Sequence, residues 1–219
     1  MFASRTSLGD EIYEVLLADL ISLRIPPGER LSIDALVRQF GVSQTPIRAA
    51  LIRLEAEGLV TKKHNAGYSV TALPSGKRFA DIYAFRLLVE PAMAAGAASN
   101  TSERLVAELE KLEQSMLDLT RQNTEASYPK FAQLDAAYHQ AIADACGNEV
   151  IEEALSRLYT HMHLFRLRYH STVAEEAVKE HLKITAAIRD GDADAAEAAM
   201  RAHIEESRKR MRPFYKVLR

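Results

Sequence analysis

A single cysteine, Cys146, cannot build an internal disulfide framework, and one lone thiol suits a reducing compartment. Nine glycines and seven prolines in 219 residues are too few for long low-complexity stretches, and no repeat period runs through the chain. No run of about 18 apolar residues occurs, so nothing reads as a membrane span. The opening MFASRTSLGDEIYE turns acidic before it can form the apolar segment of a signal peptide, and the expectation is a cytoplasmic protein with no membrane association. Charge of one sign is also missing: 28 Lys and Arg stand against 30 Asp and Glu, a formal net charge of −2. That balance excludes a uniformly basic coat for nucleic acid, but not a local basic patch.

What the chain does have is uneven punctuation. Pro26, Pro27, Gly28, Gly41, Pro46, Gly58 and Gly67 crowd its first third, and after LPSGK at 73–77 long helical patterning takes over. A boundary near Pro74 follows, with one domain over 8–74 and an all-helical one over 76–215. In the first, residues 10–23 place Ile12, Val15, Leu16, Leu20 and Leu23 at helical spacing. IPPGERL reads as a turn. Ser32 is the predicted N-cap of a helix to about Phe40, and GVS a tight turn. Ser43 caps a third helix from about Gln44 to Glu57, with Pro46 in its first turn and Gly58 just beyond its end. LVTKKHNAGYSVTAL reads as strand, turn, strand, with Asn65-Ala66-Gly67 at the tip.

Three helices with a tight turn before the third, then a hairpin, make a winged helix-turn-helix. The third helix of such a unit enters the major groove, and Gln44, Thr45, Pro46 and Arg48 occupy its N-terminal end. A Gln amide can bond adenine at two points, and an Arg can do the same with guanine or grip a phosphate. Arg38 on the second helix, Arg53, Lys62, Lys63, His64 and Gly67 are the further expected DNA contacts, the basic ones to the phosphate backbone. Any one of these charges also fits a solvated surface. PPGERL followed by GVSQTPIRAALIRLEAEGLV closely resembles the N-terminal domain of the GntR superfamily of bacterial transcription regulators. The likeness spans about 8–74 and departs at Gln44, where Arg is commonest, and at Ala49, where Glu is usual.

Beyond Lys77 the pattern predicts six helices, at 77–98, 102–121, 127–145, 148–170, 174–189 and 193–215, packed as an antiparallel bundle. Pro91 should kink the first or fall where its bond is already broken. The fold class is therefore mainly α: a winged helix-turn-helix followed by an all-α six-helix bundle. Asp135 and His139, four residues apart, share a helix face. His181 lies ten residues before Gly191 and His203 twelve after it. In a hairpin turning at Gly191 those separations are about 15 and 18 Å, so the two stand at nearly one level. One carboxylate and three imidazoles at one point suit Zn, Ni, Mn or Fe better than Mg or Ca. A hydrogen-bonded core histidine is the alternative for each taken alone.

This second part resembles the FCD domain, the helical ligand-binding domain behind GntR-type heads in the FadR branch, in its six-helix VanR-like form. The matching marks are Arg86 with Glu90, Asp135 with His139, Gly147-Asn148, Glu180-His181, and His203 in the last helix. The resemblance implies that Asp135, His139, His181 and His203 bind a divalent transition metal, Zn being first expected on purification. It implies an effector pocket lined by Arg86, whose fork suits a carboxylate; a salt bridge to Glu90 is the alternative. Glu90, Asn148, His163 and Arg166 are the other expected effector residues, the last two from the ambiguous segment HMHLFRLRYH. The reading that follows is a homodimeric repressor of a palindromic double-stranded operator, governed by a small organic acid. A metal-dependent enzyme acting on a small carboxylate is the alternative. It is disfavoured because the chain lacks both Glu-x-x-His and His-Glu-x-x-His. A purely structural metal is a third reading.

Overall fold

The computed structural model describes residues 7–63, 67–122, 127–155 and 171–215. They fall into two compact units, one ending at Leu73 and one beginning at Pro74.

The first unit contains α1 (Leu8–Ile21), α2 (Ile33–Phe40), α3 (Gln44–Ala56) and the strands β1 (Arg30–Leu31), β2 (Val60–Lys63) and β3 (Gly67–Val70). Ser7 and Asp10 form a capping box that starts α1. Its buried face is Ile12, Tyr13, Leu16, Leu17, Leu20 and Ile21. Two members of the expected apolar set lie elsewhere. Val15 points outward, and Leu23 falls beyond the helix end with φ 54°. Ser32 caps α2 through its hydroxyl, and Gly58 takes the left-handed conformation just past α3. Ser43 holds the N-cap position of α3 but makes no capping bond with its side chain. IPPGERL is more than a turn. Gly28 N donates to Val70 O at 3.0 Å and Val70 N to Glu29 O at 2.8 Å, and β1 then joins β3. The sheet is antiparallel in the order β1-β3-β2, with Ser69 between Arg30 and Thr61.

The second unit contains α4 (Gly76–Ser99), α5 (Glu103–Gln122), α6 (Ser127–Ala145), α7 (149–155), α8 (Ser171–Arg189) and α9 (Ala193–Tyr215). α4 runs through Pro91 without ending there. Gly191 adopts φ 69° between α8 and α9, and Asp192 caps α9 through Ala195 N at 2.9 Å. The expected hairpin is thus in place. No helix among the described residues is long and apolar enough to cross a membrane.

Candidate functional site

In the first unit, the N-terminal end of α3 is open to solvent. Gln44, Thr45 and Arg48 are exposed, and so is Arg38 on α2. Gln44 donates to Asp34 on α2 and accepts from Arg48, each at 3.1 Å. Arg53, also expected to contact DNA, is half exposed and has partners within the fold. Its guanidinium lies 3.6 Å above the Tyr13 ring centre and pairs with Asp10 and Glu57 at 3.5 and 3.3 Å, bracing α1 against α3. Tyr13 donates its phenol proton to Glu57. Burial, followed by that bond and the carboxylate's charge, pushes Tyr13 well above the ordinary phenol range. Gly67 opens β3 with φ 77°, and Lys62 and Lys63 are exposed on β2. His64 lies outside the described residues.

In the second unit, four helices bring their polar side chains to one buried place. His139 on α6, His181 on α8 and His203 on α9 are each no more than 1% exposed. One ligand atom from each lies within 4.8 Å of the others. Their ring centres are 4.8 to 5.4 Å apart. Asp135, also buried, places Oδ1 3.8 Å from His181 Nε2. The level matching read from Gly191 therefore holds.

Each imidazole has a distinct support. Glu90 of α4 sets Oε2 3.1 Å from His139 Nδ1, and Arg86 holds the same carboxylate through Nε at 2.5 Å and Nη2 at 3.2 Å. Glu180 of α8 lies 2.8 Å from His203 Nδ1 and is gripped at both oxygens by Arg210, at 2.5 and 2.7 Å. The Tyr138 ring stacks on His181 at 4.2 Å, its hydroxyl 3.0 Å from the His181 carbonyl and 2.8 Å from Thr185 Oγ1, which in turn donates to Glu113. Carboxylate partners of this kind select the tautomer that turns the other ring nitrogen toward a metal.

Electrostatics agree with that assignment. Burial lowers the His203 pKa to about 4, against the pull of Glu180, with His139 and Arg86 adding to the decrease; the ring is neutral at pH 7, as a ligand must be. Burial opposes the charge on Glu90, yet Arg86 and His139 hold it well below the usual carboxylate range. Glu180 is likewise held at about 2, burial being outweighed by the bonds from Arg210 and His203. His203 Nε2 is buried without a hydrogen-bond partner among the described residues. Three imidazoles beside a carboxylate form a donor set that fits a borderline transition metal ion.

Other expectations are redistributed. Arg86 pairs with Glu90 through Nε and Nη2 and is 1% exposed. Asn148, expected in the effector pocket, is an exposed cap: its Oδ1 accepts from Val150 N and Ile151 N at the start of α7. His163 and Arg166 lie outside the described residues. Arg210, Tyr138, Thr185 and Glu113 escaped notice as site residues. Arg210 had a signal, standing two turns after His203 on one face of α9.

Residues 8–70 match the family described as bacterial regulatory proteins, gntR family, and residues 81–206 match the FCD domain. The chain is 28% identical over 204 residues to the HTH-type transcriptional repressor RspR of Escherichia coli (strain K12), spanning 91% of this chain and 86% of that protein. It is 30% identical over 202 residues to the HTH-type transcriptional regulator LutR of Bacillus subtilis (strain 168), spanning 82% and 90%. The solved structure of E. coli McbR/YncC shares the fold, with TM-score 0.74 at 19% identity over 96% of this chain and 100% of that one. The chain belongs to the gntR family of bacterial regulatory proteins: it is a transcription regulator, not an enzyme, with a DNA-binding helix-turn-helix unit and an FCD domain.

Proposed function

We propose that this regulator is a metal-dependent repressor released by a small organic acid. In this reading residues 8–74 bind the operator and 76–215 sense the ligand. Asp135, His139, His181 and His203 hold a divalent ion, zinc first, with nickel, manganese and iron the alternatives. Such an ion supplies open coordination positions for the oxygens of an anion. The chain's own residues do the rest. Glu90 and Glu180 aim His139 and His203, and Arg86 contributes positive charge beside the cluster that favours a carboxylate ligand. His163 and Arg166 are the remaining effector candidates. Two copies act as a homodimer, each head contacting one half of a palindromic operator. Gln44, Thr45 and Arg48 of α3 face the bases, and Arg38, Arg53, Lys62, Lys63, His64 and Gly67 contact the backbone. The repressing sign is supported by the relative named as a repressor.

The observation that carries the reading is the buried Nε2 of His203, turned to the cluster while Nδ1 is held by Glu180. A thermal-shift screen of zinc-loaded protein against organic acids, followed by operator-binding titrations, tests it. An acid that stabilises the protein should weaken operator binding. Chelator-treated protein and His203→Ala should lose that response while still binding the operator. A response undiminished in both would sink the metal's part in the proposal.

A further inference from the structure

Gln44 opens α3, where its amide can face a base edge or neighbouring side chains. The neighbours hold it. Its Nε2 donates to Asp34 Oδ1 on α2 at 3.1 Å, and its Oε1 accepts from Arg48 Nη2, one turn along α3, at 3.1 Å. The order carboxylate, amide, guanidinium settles the orientation of the amide. A carboxylate only accepts and a guanidinium only donates, so the nitrogen must turn to Asp34 and the oxygen to Arg48. Arg48 has five N–H donors and gives one to Gln44, whereas guanine O6 and N7 need two.

We infer that Gln44 is a positioning residue: Asp34 aims Gln44, Gln44 aims Arg48, and Arg48 reads a guanine, in place of Gln44 reading an adenine itself. The inference rests on α3 being the helix that enters the major groove. A long arginine loses rotamer freedom when it docks, and one aligned beforehand loses less. All three side chains are exposed, so the bonds contribute little to folding and substituted proteins stay folded.

The test begins with duplexes that the full-length protein selects from a randomised double-stranded pool. The selected duplex is remade with each base pair changed, and with deazapurines that lack the ring-nitrogen acceptor in the major groove. Binding is followed by fluorescence anisotropy. One guanine should discriminate by roughly 5- to 150-fold, and Arg48→Ala should abolish that discrimination. Asp34→Ala and Gln44→Ala should each reduce it about three- to tenfold at that same guanine. Asp34→Asn should preserve it, because the new amide oxygen can accept the same bond. Asp34→Ala should not weaken binding to an unrelated duplex, since a carboxylate has left a surface facing a polyanion.

An adenine whose deaza form weakens the wild type but not Gln44→Ala would make Gln44 a base reader and overturn the inference. So would unchanged guanine discrimination in Asp34→Ala. If Arg48→Ala bound every duplex as the wild type does, the assignment of α3 to the groove would fall too, an outcome distinct from the other two.

Discussion

Three imidazoles are costly occupants of a bundle core, since each keeps a donor and an acceptor that need partners away from water. Here Nδ1 of two rings is matched to a carboxylate, and each carboxylate is matched to an arginine. The consequence is testable at Glu180. Glu180→Ala removes what orients His203 and takes away the carboxylate that Arg210 grips at both oxygens, so zinc affinity should fall about 10- to 100-fold. Glu180→Gln keeps an acceptor and should lose less. Competition with a chromophoric zinc chelator measures both, and an unchanged affinity in Glu180→Ala would show that the bond does not aim the ring. Much of this centre was legible. The helix period joins Asp135 to His139, and the count about Gly191 brings His181 level with His203. What periodicity cannot tell is which rotamer a side chain adopts. Arg86 and Glu90 fit equally an effector clamp and a closed pair, and only packing reveals the pair.

Between elements, contact distance decides what a position tolerates. Gly96 on α4 lies so close to the turn after α6 that an added Cβ would stand 2.6 Å from the Cys146 carbonyl oxygen. That oxygen belongs to the backbone, so no rotamer change can relieve the clash. Gly96→Ala should therefore destabilise the bundle by about 1–3 kcal/mol, read as a lower midpoint of urea unfolding. An unchanged midpoint would mean that the α6–α7 turn shifts freely. Nothing in the sequence marks this glycine, because helix propensity alone favours alanine there. The long helices were legible for the opposite reason: their stripes repeat over many turns, and α4, α5, α6, α8 and α9 lie within three residues of the predicted spans. Strand β1 has two residues, too few for any alternation to register, and exists because Glu29 and Gly28 bond to Val70. Val15 has helical spacing but lies outside the core of α1, while Tyr13 is buried with its hydroxyl on Glu57.

At the scale of the whole molecule, a ligand bound in one unit alters DNA binding by the other only through a difference in free energy between two states of the chain. The covalent path between them is short. β3 ends at Val70 and α4 begins at Gly76, leaving five residues, 71–75, two of them Pro74 and the N-cap Ser75. α4 is the same helix that carries Arg86 and Glu90, ten and fourteen residues from its start, or about 15 and 21 Å along its axis. Under the proposed mechanism, a shift of Glu90 on ligand binding would be carried by the helix that directly follows residues 71–75. Inserting six residues of Gly-Ser repeat after Leu73 should leave both partial activities intact: zinc-loaded protein still binds the acid, and the heads still bind the operator. The ratio of operator affinities with and without acid should shrink toward one, from the roughly 5- to 150-fold that ordinary coupling spans. Paired titrations of acid against protein, and of operator against protein with the acid saturating, give that ratio directly. A ratio unaffected by the insertion would mean that the coupling does not pass through residues 71–75, and would leave contacts between two copies in the proposed dimer to carry it.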